Sequence, residues 1–343
     1  MNFASDNTTG AAPEILAAIA AANADRLMPY GNDDLTRLAE KRLAELFETD
    51  AKVFLVATGT AANALALSAM APPYGAVYCH EHAHIMDSET GAPEFFTGGA
   101  KLMPLAGAHG KITAEALDAA VGSVAPGRVH HVKPATVSIT QATETGTVYG
   151  LDEVREISKV CRDRGLRLHM DGARFANAVA RLGCSPAEAT WKAGVEALSF
   201  GGTKNGALTL EAVVLFADDL GRDFAFRRKR GGHLFSKMRL LSAQMQAYLA
   251  DDLWLENARR ANAMAARLAK GLSAIKGVTL THPVDANIVF PRLTAAIVAG
   301  LKKDGFQFYE RGGEHVVRLI CAYDTSEADV DALIASARRH ARG

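Results

Sequence analysis

Two residues of this chain stand where open α/β sheets carry their catalytic groups. Asp171 follows the apolar run Leu166-Arg-Leu-His-Met170 and begins Asp171-Gly-Ala-Arg174. A carboxylate at the carboxyl end of such a strand projects into the crevice where these sheets bind ligands. Lys204 follows a second run, Ala193 to Phe200, after Gly201 and Gly202, which let the chain bend and a ligand approach. Upstream, Thr58-Gly59-Thr60-Ala61 joins a strand-like Val53–Ala57 to a helical Ala61–Met70. Its N–H groups and hydroxyls therefore lie at a helix N-terminus, where a phosphate docks. Each feature alone is equally a turn or a cap. Together they match what pyridoxal 5′-phosphate needs: an amine for a Schiff base (Lys204), a carboxylate that keeps the pyridine nitrogen protonated (Asp171), and a phosphate cradle (Gly59 and Thr60). The spacing fits neither Gly-x-Gly-x-x-Gly nor a Walker loop, so dinucleotide and nucleoside-triphosphate binding lose support.

Other residue types suggest further roles. His80, His82 and His84 alternate, and on an extended segment three imidazoles would point one way and nucleate a metal site. That is the rival reading, a metal-dependent hydrolase, and it leaves Lys204 and the phosphate turn without a task. His84 can instead stack on a cofactor ring, and His131 of the pair His130-His131 is a second candidate base. Arg318 places a charge inside the apolar segment Val316-Val-Arg-Leu-Ile320, which is costly unless the Arg meets an anion. A substrate carboxylate would satisfy it bidentately, and a structural ion pair would serve as well. Arg227-Arg-Lys-Arg230 either reaches a phosphate or only faces solvent.

Short apolar runs alternate with helical patterns over most of the length, the sequence form of strands and crossover helices in a parallel sheet. The fold class is α/β. Beyond those already named, Ala76–Cys79 and Ala212–Phe216 read as strands. Leu151–Arg164 reads as a helix capped by Gly165. A basic helical stretch covers Asp219–Arg230, and Leu234 to about Leu272 is helical with a break near Asp251. The order then changes to short strands, Val278–Thr281, Asn287–Phe290, Phe306–Tyr309 and Val316–Ile320, interleaved with helices. The expected division is a large α/β domain over 1–250, N-terminal arm included, and a small α+β domain over 251–343.

The bulk numbers restrict the function classes. A chain of 343 residues buries a large core without metal staples or disulfides. With 38 basic and 38 acidic side chains it carries no global field toward nucleic acid or an anionic membrane. Neither partner is expected. Cys79, Cys161, Cys184 and Cys321 lie far apart with no Cys-x-x-Cys pair, which fits a reducing compartment. No signal-peptide pattern opens the chain, and a cytoplasmic location is expected.

With these residues in place, the chain resembles the low-specificity L-threonine aldolases of the fold-type I pyridoxal-phosphate enzymes, the β-eliminating lyase-like group. The matching segments run nearly end to end: Ser5-Asp6, Tyr30-Gly31 with Asp33, Thr58-Gly-Thr60, Ala83-His84-Ile85, Glu89-Thr-Gly91-Ala92, Leu168-His-Met-Asp171-Gly-Ala-Arg174, the lysine segment and Val317-Arg318. The resemblance implies a transferase-like large domain with a mostly parallel sheet, His84 stacked on the pyridine ring, Asp171 on its nitrogen and Lys204 as the Schiff base. It implies Ser5, Arg174 and Arg318 around the substrate carboxylate or the ring oxygen, and His84 and His131 near the β-hydroxyl. It also implies retro-aldol cleavage of L-threonine and L-allo-threonine to glycine and an aldehyde, in a dimer of dimers whose shared sites bring Tyr30 and the 227–230 run to a neighbour's cofactor. Phe200-Gly-Gly-Thr-Lys204-Asn-Gly departs from the commoner Ser-Lys-Gly-Leu segment and is similar to a phenylserine-cleaving bacterial branch. An aminotransferase or β-eliminating lyase would use the same Asp and Lys.

Overall fold

The computed structural model describes residues 1–24, 26–125, 127–311 and 313–341. Seven strands form the central sheet: β1 (Lys52–Val56), β2 (Gly75–His80), β3 (Lys101–Leu105), β4 (Lys133–Thr140), β5 (Arg167–Gly172), β6 (Ala197–Gly201) and β7 (Glu211–Leu215). Their order is β1-β7-β6-β5-β4-β2-β3. β3, β2, β4, β5 and β6 are mutually parallel, and β7 runs antiparallel to both neighbours. Helices cover both faces, so β2, β6 and β7 are buried along their whole length and are mostly apolar, with His80, Ser199 and Glu211 as buried exceptions.

Helix Gly59–Met70 leaves β1 through Thr58, whose hydroxyl accepts from Ala61 N–H. Its Ala62, Leu65 and Ala66 pack with Val56, Val213 and Leu215, a small-residue face that lets it lie close on the sheet. Helix Leu151–Arg164 starts with Asp152 and Glu153 and ends with Arg162, Arg164 and a left-handed Gly165, which suits the helix dipole and frees the chain to enter β5.

A second core gathers Leu268, Leu272, Val289, Ile297, Leu301, Val317, Leu319 and Leu333. Around it lie β8 (Thr279–Leu280), β9 (Ile288–Val289), β10 (Pro291–Arg292), β11 (Tyr309–Glu310) and β12 (Val317–Ile320), in the two small sheets β10-β8 and β11-β12-β9. Helix Leu253–Ser273 serves both cores: Trp254 and Ala258 lie in the first, Ala265 onward in the second. The N-terminal arm differs from expectation. Phe3 sits in the second core, its N–H bonds Gln307 O and its carbonyl accepts from Ile320 N–H, both at 2.8 Å, because an apolar side chain followed by an extended backbone adds a strand-like edge to β12.

Other differences are local. The basic helix spans only Phe224–Arg230, the next starts at Arg239, and the break falls at Asp251 and Asp252, both with positive φ. Among the described residues, no helix is long and apolar enough to cross a membrane.

Candidate active site

The carboxyl ends of β1, β5 and β6 face a cleft of about 450 Å³ whose lining includes Thr58, Gly59, Thr60, His84, Lys204 and Glu211. Asp171 lies near the end of β5. It is 3% exposed and takes two neutral donors, Asn63 Nδ2 on Oδ2 at 2.8 Å and Ala173 N–H on Oδ1 at 3.0 Å. Among the described residues it forms no ion pair.

Lys204 reaches the cleft because the chain after β6 passes hard against its neighbours. A Cβ at Gly201 would lie 2.7 Å from Ala173 O, and one at Gly202 3.0 Å from Leu210 O. Only glycine fits there. Lys204 is half-buried and also without an ion pair among the described residues. Burial and the Arg174 cation push its ammonium below the usual lysine range, against Asp6, Asp171 and Glu211.

His84 opens the short helix His84–Asp87, and its Nδ1 lies 2.7 Å from Glu89 Oε1. The carboxylate fixes the proton on Nδ1 and leaves Nε2 as the accepting nitrogen. Glu89 Oε1 also accepts from Asn63 Nδ2 at 2.8 Å, so one amide joins the His84 carboxylate to Asp171. Below, Glu144 Oε1 accepts from His84 N–H at 2.8 Å and from Thr140 Oγ1 at 2.9 Å. Burial, then Asp171, pushes the Glu144 carboxyl up to about 7.

The arginines meet at the arm. Arg174 grips Asp6 with Nε on Oδ2 at 2.7 Å and Nη2 on Oδ1 at 3.0 Å. Burial alone would raise Asp6, yet Arg174 and Lys204 outweigh it and hold its carboxyl below the usual range. Arg318 Nη2 donates to Ala4 O at 3.1 Å, while its buried Nε has no acceptor. Ser5 Oγ accepts from Asn7 N–H and keeps its own proton to give. Arg174, Arg318 and Ser5 are thus together.

His131 is not with them. It is exposed, just before the amino end of β4, and lines a separate depression with Tyr74, Arg128 and Arg164. The cleft lies at the carboxyl ends of the parallel strands, so within one chain His131 and His84 stand at opposite ends of the sheet. Tyr30 is exposed too, with Lys229 Nζ 4.9 Å from its ring centroid, so Tyr30 and the basic run form one surface outside the cleft. The alternating histidines do not converge. His80 uses Nε2 at Gly107 O and Nδ1 for His82 N–H, His82 turns to Asp87, and His84 to Glu89.

Asn63, Glu89, Glu144, Glu211 and Asp6 were given no role by sequence reasoning. Asp6 and Glu89 lay in the matching segments without a role, and Asn63 carried a local signal, an amide inside an Ala-rich helix one turn after the phosphate turn.

The beta-eliminating lyase family model matches residues 2–296. Over 325 residues the chain is 48% identical to the low specificity L-threonine aldolase of Pseudomonas aeruginosa, covering 94% of this chain and 93% of that one. The chain belongs to the beta-eliminating lyase family. This member is also 46% identical to a low specificity L-threonine aldolase of a Pseudomonas sp., over 98% of its own length and 96% of the relative's. Among solved structures it is similar to the threonine aldolase of Leishmania major, with a TM-score of 0.93, 30% identity and 99% coverage of both chains. A histidinol-phosphate aminotransferase structure from Erwinia carotovora, 16% identical with a TM-score of 0.76, shares the fold. The α/β transferase-like architecture expected of this family member is the one observed.

Proposed function

We infer that this family member is a pyridoxal-phosphate-dependent aldehyde-lyase. It cleaves L-threonine, L-allo-threonine and related β-hydroxy-α-amino acids to glycine and an aldehyde. One observation carries the reading: an amine without an ion-pair partner (Lys204) and an imidazole oriented by a carboxylate (His84) line one cleft, and a buried carboxylate without a cation (Asp171) is joined to that imidazole through Asn63 and Glu89.

These residues fit the cofactor. A protonated pyridine nitrogen is the cation that Asp171 lacks. Nothing lies within 4 Å of where a Gly59 Cβ would be, and the Gly59 and Thr60 N–H groups stand in a first helical turn, open to a phosphate. Arg174 packs beside this set against Asp6, near the ring oxygen or the substrate carboxylate. When bound, the group supplies an electron sink for the pair released as Cα–Cβ breaks.

The rest is done by side chains. Lys204, in the cleft lining, would hold the cofactor through its amine. Arg318, with Arg174 and Ser5, holds the substrate carboxylate. His84 Nε2 takes the β-hydroxyl proton, and Glu89 stabilises the imidazolium through Nδ1–H; a positioned base of this kind contributes on the order of 10²–10⁴-fold.

The relatives' names support the reaction and leave the preferred aldehyde side chain to a substrate panel of threonine, allo-threonine, phenylserine and serine. Equimolar glycine and aldehyde are the expected products. An α-keto acid, detected by a coupled dehydrogenase, would mean transamination or β-elimination instead.

The finer assembly is a dimer of dimers in the cytoplasm. Tyr30 and Lys229, exposed side by side outside this chain's own cleft, support sites shared between subunits. The division at 250/251 is kept for the strand order, with the arm docked on the C-terminal core.

A further inference from the structure

Glu211 is a buried carboxylate that the reaction above does not use. It is the first residue of β7 and 6% exposed. Its register partners are Val56 at the end of β1 and Gly201 at the end of β6. β1 leads directly into Thr58-Gly59-Thr60 and β6 into Lys204, so the topology sets this carboxylate between the two segments that would hold the cofactor. Both Glu211 and Lys204 line the cleft.

A buried carboxylate here is costly unless a cation or proton compensates it. No arginine pairs with it among the described residues. Lys204 is the cation that acts on it, and Thr203, the residue before Lys204, offers it hydrogen bonds. The other charged and titratable groups are accounted for. Asp171 repels Glu211 from β5, Tyr248 feels it from helix Arg239–Leu249, His84 lines the same cleft, and Arg174 and Asp6 act on Lys204 from β5's exit and the arm. The position is therefore coupled to one ammonium.

We propose that Glu211 is a positioning residue for Lys204, a carboxyl whose charge follows that of Nζ: ionised beside the free ammonium, and protonated when Nζ is neutral. It would thus hold a proton next to the one amine that must alternate between the two forms, and keep that proton inside the cleft. Burial pushes the carboxyl up to about 7, with the Thr203 hydrogen bond and then the Lys204 cation working against it. The proposal rests on Lys204 being the covalent attachment residue.

The test uses cofactor-free full-length protein and cyanate as the amine probe, with Lys204 carbamylation followed by peptide mass spectrometry across pH. Replacing the anion by an amide (Glu211→Gln) should lower the pH midpoint of Lys204 reactivity by on the order of one unit, while Glu211→Asp keeps it near wild type. An unchanged midpoint in Glu211→Gln overturns the proposal. A reciprocal variant, Lys204→Met, keeps the test decisive if the amide variant does not fold. With the cation gone, Glu211 favours its neutral form still more, so a folded-state value already raised to about 7 rises further above the unfolded one. Stability relative to wild type is then retained near pH 5 and lost as pH rises through about 7 to 8. A pH-independent difference would refute the coupling. Borohydride fixation of the bound cofactor in the wild type separates the two readings, since label on another lysine removes the premise about Lys204 and leaves the carbamylation result interpretable.

Discussion

Replacing Glu89 by Gln probes how His84 is made into a base. In the structure Glu89 Oε1 sits 2.7 Å from His84 Nδ1 and 2.8 Å from Asn63 Nδ2, and its Oε2 is buried without a partner. The amide preserves shape and one acceptor but removes the charge that strengthens the bond as the imidazole takes a proton. A hydrogen bond to a charged group is worth about 1.5–3 kcal/mol. At about 1.4 kcal/mol per tenfold, kcat should fall by about 10- to 150-fold. KM should change little, because the lost interaction strengthens only as the proton moves. The amide NH₂ would lie at the position of Oε2 with no acceptor, costing about 1–3 kcal/mol of stability and a few degrees of Tm. Steady-state release of aldehyde, run beside a thermal melt, measures both. In a His84→Asn background the same change should cost less than about twofold, since the partner is gone. A kcat within about threefold of wild type in folded Glu89→Gln, or full additivity with His84→Asn, would refute the relay.

Three further outcomes are expected. Asp6→Asn leaves Arg174 facing a neutral amide where the ion pair was 0% and 11% exposed, so it should cost about 3–5 kcal/mol and raise KM for amino acids. Because the Asp6 carboxyl is depressed, its stabilisation is present above about pH 4 and lost as pH falls below that, so denaturation in acid should be less steep in Asp6→Asn than in wild type. His131→Ala should leave kcat/KM within about twofold, as its place before β4 implies; a larger loss would return it to the site through a neighbouring subunit. Mixing Lys204→Ala with Tyr30→Ala protein should restore about a quarter of wild-type activity if sites are shared, since half of randomly paired dimers are mixed and each holds one intact site of two. Continued inactivity after verified exchange would remove Tyr30 from the neighbour's site.

The sequence made Asp171 and Lys204 visible because each ends an apolar run, and a charge at such a boundary has few structural reasons to be there. It hid their supports. Asn63, Glu89, Glu144 and Glu211 come from four separate segments and meet only through the strand order β1-β7-β6-β5-β4, which no local pattern encodes. β3 and β4 were equally hidden. Pro104 interrupts the first, tolerable because β3 is an edge strand. Thr136 and Ser138 give the second a polar look, but their hydroxyls are spent on Met70 O and His169 Nδ1, so both residues are buried at little cost. The position of His131 was hidden for a related reason: a histidine near a strand carries no mark of which end of the strand it occupies.

The arm makes the two cores inseparable. Phe3 is embedded among C-terminal side chains, and three residues on Asp6 holds Arg174 of the α/β unit while taking a bond from Asn287 at 3.2 Å. A fragment cut at 250 would lose the surface that anchors Phe3 and the amide that steadies Asp6, and Arg174 would be free to swing. On the proposed reading, carboxylate recognition is then a property of the whole chain, and transplanting the lysine-bearing half into another scaffold would carry Lys204 and Asp171 without the Asp6–Asn287 support of Arg174.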